Sequence, residues 1–135
     1  MNKLTGIIIH IESSGHMSMV DIDVTGDSFS SIVLETPQSA DYLRNGGKVS
    51  LIFKETEVSI AKNLSGQISL RNRFKGLIKT IEKSNLLTKI ILDYKNNEVI
   101  SIISTRCADR LELKQGQTVE WLVKTNEVSL LREGA

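Results

Sequence analysis

A short run of hydrogen-bond donors stands near the middle of the chain. Ser69, Arg71 and Asn72 lie within four residues, and Lys75-Gly76 follows them. A hydroxyl, a guanidinium and a side-chain amide can all donate hydrogen bonds to one anion. This spacing therefore favours a binding site for an oxyanion, whose outer atoms only accept hydrogen bonds.

A second group of donors follows in the last third of the chain. Ser104 and Cys107 have the spacing of N-cap and N3 residues at the start of a short helix, where backbone N–H groups have no helical partner. Lys124 ends a predicted strand. Taken alone, the serine is an ordinary cap and the lysine an ordinary surface residue. Together with the first run of donors, these residues predict one oxyanion site.

The sequence contains no signature of an enzyme. His10 and His16 are the only histidines and Cys107 is the only cysteine, so neither a catalytic triad nor a cysteine-built zinc site is predicted. The chain also lacks a Walker loop and a GxGxxG motif. We therefore expect no catalytic residue, no cofactor and no bound metal cation.

Composition and charge argue against two further classes of protein. The net charge is +1 and aromatic residues make up 4% of the chain, whereas nucleic-acid-binding domains are usually strongly basic and use aromatic stacking. The apolar runs, such as Ile7–Ile9, are too short for a membrane span. A single thiol suits a reducing compartment. The sequence thus predicts a cytoplasmic protein without nucleic-acid or membrane partners.

The chain repeats itself at an offset of 70 residues. Lys54 returns as Lys124, and Glu57-Val58-Ser59 returns as Glu127-Val128-Ser129. The offset shifts to 68 around Ala40 and then returns to 70, as expected for a length change in a loop or short helix. Further matches join Gly6, Ile8, Ile11, Glu12 and Ser14 to Gly76, Ile78, Ile81, Glu82 and Ser84. This pattern predicts a first module in residues 1–65 and a second in residues 66–135.

Each copy is predicted to consist mostly of strands. Alternating runs rich in Ile, Val and Thr predict five strands per copy: Thr5–Glu12, Met17–Val24, Ser28–Leu34, Lys48–Lys54 and Val58–Ala61, then Gly76–Glu82, Thr88–Tyr94, Glu98–Ile103, Thr118–Lys124 and Glu127–Leu131. One short helix per copy is also predicted, opening at Thr36-Pro37 and at Ser104. The fold class expected is all-β, with two tandem five-stranded OB-like barrels.

The donor-rich segments also resemble a known family. Ser69-Leu70-Arg71-Asn72, followed by Phe74-Lys75-Gly76, resembles the S-A-R-N-x-x-x-G opening of the molbindin (Mop, or TOBE) family. Ala108–Leu113 with the following Lys114-Gln115-Gly116, and Val123–Val128, are similar to later segments of the same family. Leu4–Glu12 resembles the start of a second such module in the sensing domain of molybdate-responsive regulators. The resemblance covers nearly the whole chain as a di-Mop unit.

This resemblance implies OB-type barrels that exchange strands and bind molybdate or tungstate at subunit interfaces. Matched by position, the oxyanion site comprises Ser69, Arg71, Asn72, Ser104, Cys107 and Lys124. Cys107 stands where the family usually has serine, a stronger donor. The matching positions of the first copy, expected to bind more weakly, are Thr36, Ser39 and Lys54. The first copy lacks the Ser-x-Arg part of the opening motif.

We therefore predict reversible binding of molybdate or tungstate for intracellular buffering, storage or homeostasis, with no chemistry performed on the anion. The alternative is an anion-sensing module that acts through a protein partner. Residues 1–65 carry a net charge of −3 and residues 66–135 a net charge of +4, so an anion is drawn to the second copy. Because so small a barrel buries little apolar area, a homo-oligomer is expected, with a dimer slightly preferred over a trimer.

Overall fold

Ten antiparallel strands make up most of the protein. The computed structural model describes residues 1–133. Its strands are β1 (Asn2–Ser14), β2 (Met17–Val24), β3 (Asp27–Val33), β4 (Lys48–Phe53), β5 (Ser59–Ala61), β6 (Asn72–Lys83), β7 (Leu87–Tyr94), β8 (Asn97–Ser104), β9 (Thr118–Val123) and β10 (Ser129–Arg132). Two 3₁₀ turns, Glu55–Glu57 and Thr125–Glu127, precede β5 and β10. The prediction of five strands in each copy is confirmed.

The strands form two five-stranded sheets that share material from both copies. The first sheet has the order β10-β4-β1-β2-β3, and the second has the order β5-β9-β6-β7-β8. β5 pairs with β9, and β10 pairs with β4, so each copy gives its last strand to the sheet of the other copy. The copies cannot separate without breaking these strand pairings.

The duplication extends to fine details of the backbone. The pairing of β1 with β2 shifts register between Ile8 and His10, and the pairing of β6 with β7 shifts between Ile78 and Thr80. Gly46 donates its N–H to the Ile8 carbonyl at 2.8 Å, and the equivalent Gly116 donates to the Ile78 carbonyl at 2.9 Å. The sequence repeat therefore encodes one backbone design that is used twice.

An aromatic cluster joins the two sheets. Phe29 of β3 stacks on Phe74 of β6 with ring centroids 4.1 Å apart, and Phe53 of β4 stacks on Trp121 of β9 at 5.8 Å. Tyr94 of β7 meets Trp121 edge-on at 5.2 Å. These rings belong to one buried core that continues through both copies. The shared core supplies the apolar burial that a barrel of this size lacks by itself.

Two buried asparagines close the edges of the sheets in a symmetric way. The Asn72 side chain accepts a hydrogen bond from the Ser30 N–H and donates one to the Ser30 carbonyl, both at 2.8 Å. Asn2 makes the same two bonds, also at 2.8 Å, to Ile100. Ser30 lies on edge strand β3 and Ile100 lies on edge strand β8. Each amide thus satisfies backbone groups of the other copy.

The prediction of a short helix in the first copy is wrong. Within residues 1–133 the only α-helix is α1 (Thr105–Arg110), and it is too short and too polar to cross a membrane. In the first copy, one helical hydrogen bond forms from the Ala40 N–H to the Thr36 carbonyl at 2.9 Å, and tighter turns follow. Two fewer residues connect Ala40 to Gly46 than connect Ala108 to Gly116. Because both glycines are fixed against β1 or β6, the first copy has no room for a second helical turn.

Replacing Asn72 with alanine should destabilise the protein. The change leaves the N–H and carbonyl of Ser30 without partners at a buried position, and a buried unsatisfied polar group costs about 1–3 kcal/mol. We expect the free energy of unfolding, measured by urea denaturation, to fall by about 2–4 kcal/mol. Asn2→Ala is the matched variant, and its free energy of unfolding should fall by a similar amount. A loss below about 0.5 kcal/mol in both variants, as is usual for substitutions at the surface, would contradict this role.

Candidate anion-binding site

Three of the predicted site residues line one cleft. Ser69, Arg71 and Lys124 border a cleft of about 500 Å³, and its remaining lining residues are Met19, Ile68, Leu70, Thr125 and Asn126. The serine and arginine precede β6, whereas the lysine follows β9. Since β6 pairs with β9, with Asn72 opposite Val123, the sheet itself places the two segments side by side.

The guanidinium of Arg71 is held by a hydrogen bond from its Nε atom. Its Nε donates a hydrogen bond to Ser30 Oγ at 2.6 Å, and Ser30 Oγ donates to Asp21 Oδ1 at 2.5 Å. The same Nε lies 4.0 Å from Asp21 Oδ1, while 60% of the Arg71 side chain is exposed. The two Nη groups form no hydrogen bond within residues 1–133, so their N–H groups are available for bidentate binding of an anion.

Lys124 lies between two unlike environments. It is exposed, and it forms no ion pair within 4.0 Å in the described part of the chain. Besides the cleft above, it borders a second cleft of about 250 Å³ that Glu57, Glu127 and Ser59 also line. Carboxylates therefore flank one side of the lysine, and donors flank the other. An anion is favoured only on the side of Ser69 and Arg71.

Ser104 and Cys107 line a third cleft. This cleft of about 400 Å³ is also bordered by Ser59, which connects it to the second one. Ser104 caps α1 as predicted, because its Oγ accepts a hydrogen bond from the Cys107 N–H at 3.2 Å. Its own hydroxyl proton remains available for donation. A single chain does not bring Ser104 and Cys107 into the cleft of Ser69.

Asn72 does not face the cleft, although the sequence placed it in the site. Its side chain is fully buried, and both its oxygen and its nitrogen are bonded to Ser30. A donor used in this way is not available to an anion. We therefore assign Asn72 to the joint between the modules rather than to the site.

The first-copy residues are arranged differently. The Thr36 N–H donates to Ser39 Oγ at 2.9 Å, and the Ser39 N–H donates back to the Thr36 carbonyl at 2.9 Å. These two residues thus stabilise a local turn. Lys54 lies at the end of β4, before the first 3₁₀ turn, just as Lys124 precedes the second.

The sequence and the fold both match known proteins. The model of the TOBE domain family matches residues 68–130. A crystal structure of the cytoplasmic molybdate-binding protein ModG, with molybdate bound, superposes with a TM-score of 0.88. It is 26% identical, and the match covers 96% of this chain and 94% of that one.

Residues 68–130, most of the second copy, thus form a TOBE domain. Two smaller proteins of known structure each match about half of the chain. A molybdate-binding protein from Sporomusa ovata is 34% identical and covers 50% of this chain and 100% of its own, with a TM-score of 0.49. MopII from Clostridium pasteurianum is 30% identical and covers 48% of this chain and 98% of its own, with a TM-score of 0.46. A search of curated proteins gives no match.

Sequence reasoning missed two residues that hold Arg71 in place beside the cleft, Asp21 and Ser30. They lie on strands of the first copy, and only the packing of the two modules brings them to Arg71. Their counterparts 70 positions later are Ile91 and Ile100. The sequence offered one signal for these two residues: each is polar, whereas its counterpart in the second copy is apolar.

The protein shows no alternative metal centre among residues 1–133. No three His, Cys, Asp or Glu side chains in that range are close enough to hold a metal ion together. The donors that line the cleft are two cationic side chains, two hydroxyl groups and one side-chain amide, from Arg71, Lys124, Ser69, Thr125 and Asn126.

Proposed function

We propose that this protein binds molybdate or tungstate reversibly, for buffering or storage, and performs no chemistry on the anion. The observation that carries the proposal is the meeting of Ser69, Arg71 and Lys124 in one cleft. The similarity to ModG over nearly the whole of both chains supports it, because ModG is itself a cytoplasmic molybdate-binding protein.

The cleft suits a tetrahedral dianion in charge and in hydrogen bonding. Such an ion offers only acceptors, so it needs several donors and no neighbouring carboxylate. None of the residues that line the cleft is acidic, and two of them are cationic. Asp21 lies behind Arg71, bonded through Ser30, where it orients the guanidinium.

The remaining donors are proposed to come from a second copy of the chain. Ser104 and Cys107 lie in a cleft of their own, so a neighbouring chain is needed to add them to the donors around Ser69. Aliphatic side chains are exposed at equivalent positions of both copies and are available for such contacts. They are Ile7 and Leu77, 40% and 42% exposed, and Met17 and Leu87, 48% and 55% exposed.

Titration calorimetry should show binding of molybdate and tungstate, and much weaker binding of sulfate. The larger anions suit a site that two chains complete, and we expect their affinity to exceed that of sulfate by at least about tenfold, or about 1.4 kcal/mol. Equal affinity for all three anions, or no binding of any of them, would contradict the proposal.

The two equivalent lysines should differ in their contribution to binding. Lys124→Ala and Arg71→Ala each remove a charge-assisted hydrogen bond and should weaken molybdate binding by about 1.5–3 kcal/mol. Lys54→Ala, the matched change in the weaker first-copy set with Thr36 and Ser39, should have little effect. The melting temperature of each variant is measured as a control for folding. A loss for Lys54→Ala that equals that of Lys124→Ala would show that Lys54 serves the same site.

The protein should be a homo-oligomer in solution, with a dimer slightly preferred over a trimer. Each module buries little apolar area by itself, and the proposed site takes donors from two chains. Size-exclusion chromatography with light scattering gives the mass directly. A monodisperse monomer that still binds molybdate tightly would contradict a shared site.

A further inference from the structure

The two copies present different side chains at the position that follows the lysine. In the second copy this residue is Thr125, which lines the cleft beside Lys124. In the first copy the residue after Lys54 is Glu55, 70 positions before Thr125. A neutral hydroxyl and a carboxylate thus occupy matching places in the repeat.

The backbone has the same conformation at these two positions of the repeat. Lys54 has φ −75° and ψ 145°, and Lys124 has φ −66° and ψ 147°. The next three residues form a 3₁₀ turn in each copy. It is closed by a 3.0 Å hydrogen bond from the Glu57 N–H to the Lys54 carbonyl, and by a bond of the same length from the Glu127 N–H to the Lys124 carbonyl.

The anchoring of these turns is also repeated. Ser101 Oγ donates to the Val58 carbonyl at 2.6 Å, just after the first turn, and Ser31 Oγ donates to the Val128 carbonyl at 2.5 Å, just after the second. The side chains of residues 55 and 125 therefore leave the backbone in the same direction. Both are half-buried.

The exchange of threonine for glutamate reverses the local chemistry. A threonine hydroxyl donates a hydrogen bond to an anion, whereas an ionised carboxylate only accepts and repels a dianion through its charge. At residue 55 the side chain therefore opposes the anion that the same position assists in the second copy.

The carboxylate of Glu55 already has a cationic partner. Glu55 Oε2 accepts a hydrogen bond from the Met1 ammonium at 2.8 Å, and Met1 is the residue 70 positions before Arg71. That hydrogen bond, together with the charge of Lys89, lowers the pKa of Glu55, so the group is ionised at neutral pH. Lys89 itself is the first-copy counterpart of Met19, which lines the second-copy cleft.

We propose that Glu55 is a built-in anion that closes the first-copy position to molybdate, and that Thr125 keeps the second-copy cleft open. The side chain after the lysine then adds to the absence of an Arg71 counterpart in making the first copy the weaker site. This inference rests on the proposed function, because it concerns the ligand of the same type of cleft.

Reciprocal exchange of the two residues tests the inference. Molybdate is titrated by calorimetry into the wild-type protein, Glu55→Thr, Thr125→Glu and the double exchange. We expect Glu55→Thr to add a second class of sites that binds molybdate more weakly than the wild-type site, because Met1 stands where the second copy has Arg71. We expect Thr125→Glu to weaken the wild-type site by at least about tenfold, and the double exchange to combine the two effects.

Two further variants control for charge and for folding. Asp41→Asn removes the same charge from an exposed loop of the first copy and should leave stoichiometry and affinity unchanged. Glu55→Gln removes the charge with almost no change in size, so it should also raise first-copy binding if Glu55→Thr folds poorly. Melting temperature and oligomer mass are compared for all variants.

The outcomes separate this inference from the function on which it rests. If the wild-type protein binds no molybdate, the proposed function itself fails. If the wild type binds but neither Glu55→Thr nor Glu55→Gln gains a site, the role of Glu55 is overturned. The role of Thr125 is overturned if Thr125→Glu binds as the wild type does.

Discussion

The hydrogen bonds between Asn72 and edge strand β3 fix the geometry on which the site depends. Both polar groups of the amide are bonded to the backbone of Ser30, so the start of β6 cannot move relative to β3. Arg71 is the preceding residue, and its Nε therefore meets Ser30 Oγ at 2.6 Å. The donor that the cleft requires is thus oriented by the joint between the two modules rather than by its own strand. A change that loosens the joint also misplaces the guanidinium.

The exchange of strands makes this joint rigid. β5 and β10 each extend the sheet of the other copy, and the stacked pair of Phe29 and Phe74 lies in the core that the sheets share. A barrel of about 65 residues is marginally stable alone, because its surface is large for its volume. Here the ends of β6 and β9, which carry the donors, belong to a single core instead of two small ones. Binding geometry and folding stability consequently depend on the same contacts.

The sequence was sufficient for the features that local patterns specify. Alternation of Ile, Val and Thr located all ten strands, and the spacing of Ser104 and Cys107 identified the cap of α1. The prediction failed at Thr36-Pro37, because local capping signals do not reveal how few residues remain before Gly46. It also placed Asn72 among the anion donors, since a sequence shows that a side chain can donate but not which partner uses the donor. Contacts between the modules determine that partner.

Duplication explains how the two modules share one arrangement of strands and still differ in charge. The bonds that hold the modules together recur at equivalent positions, with Asn2 matching Asn72 and Ser31 matching Ser101. The residues that set the charge around the candidate cleft do not recur. The pairs that differ are Asp21 and Ile91, Ser30 and Ile100, Met19 and Lys89, and Glu55 and Thr125. The side chains at these positions take no part in the hydrogen bonds that recur between the modules, since Ser30 and Ile100 contribute only their backbone groups. These side chains are therefore free to differ. A symmetric scaffold can therefore carry one cleft lined by donors and, at the matching place, a carboxylate of its own.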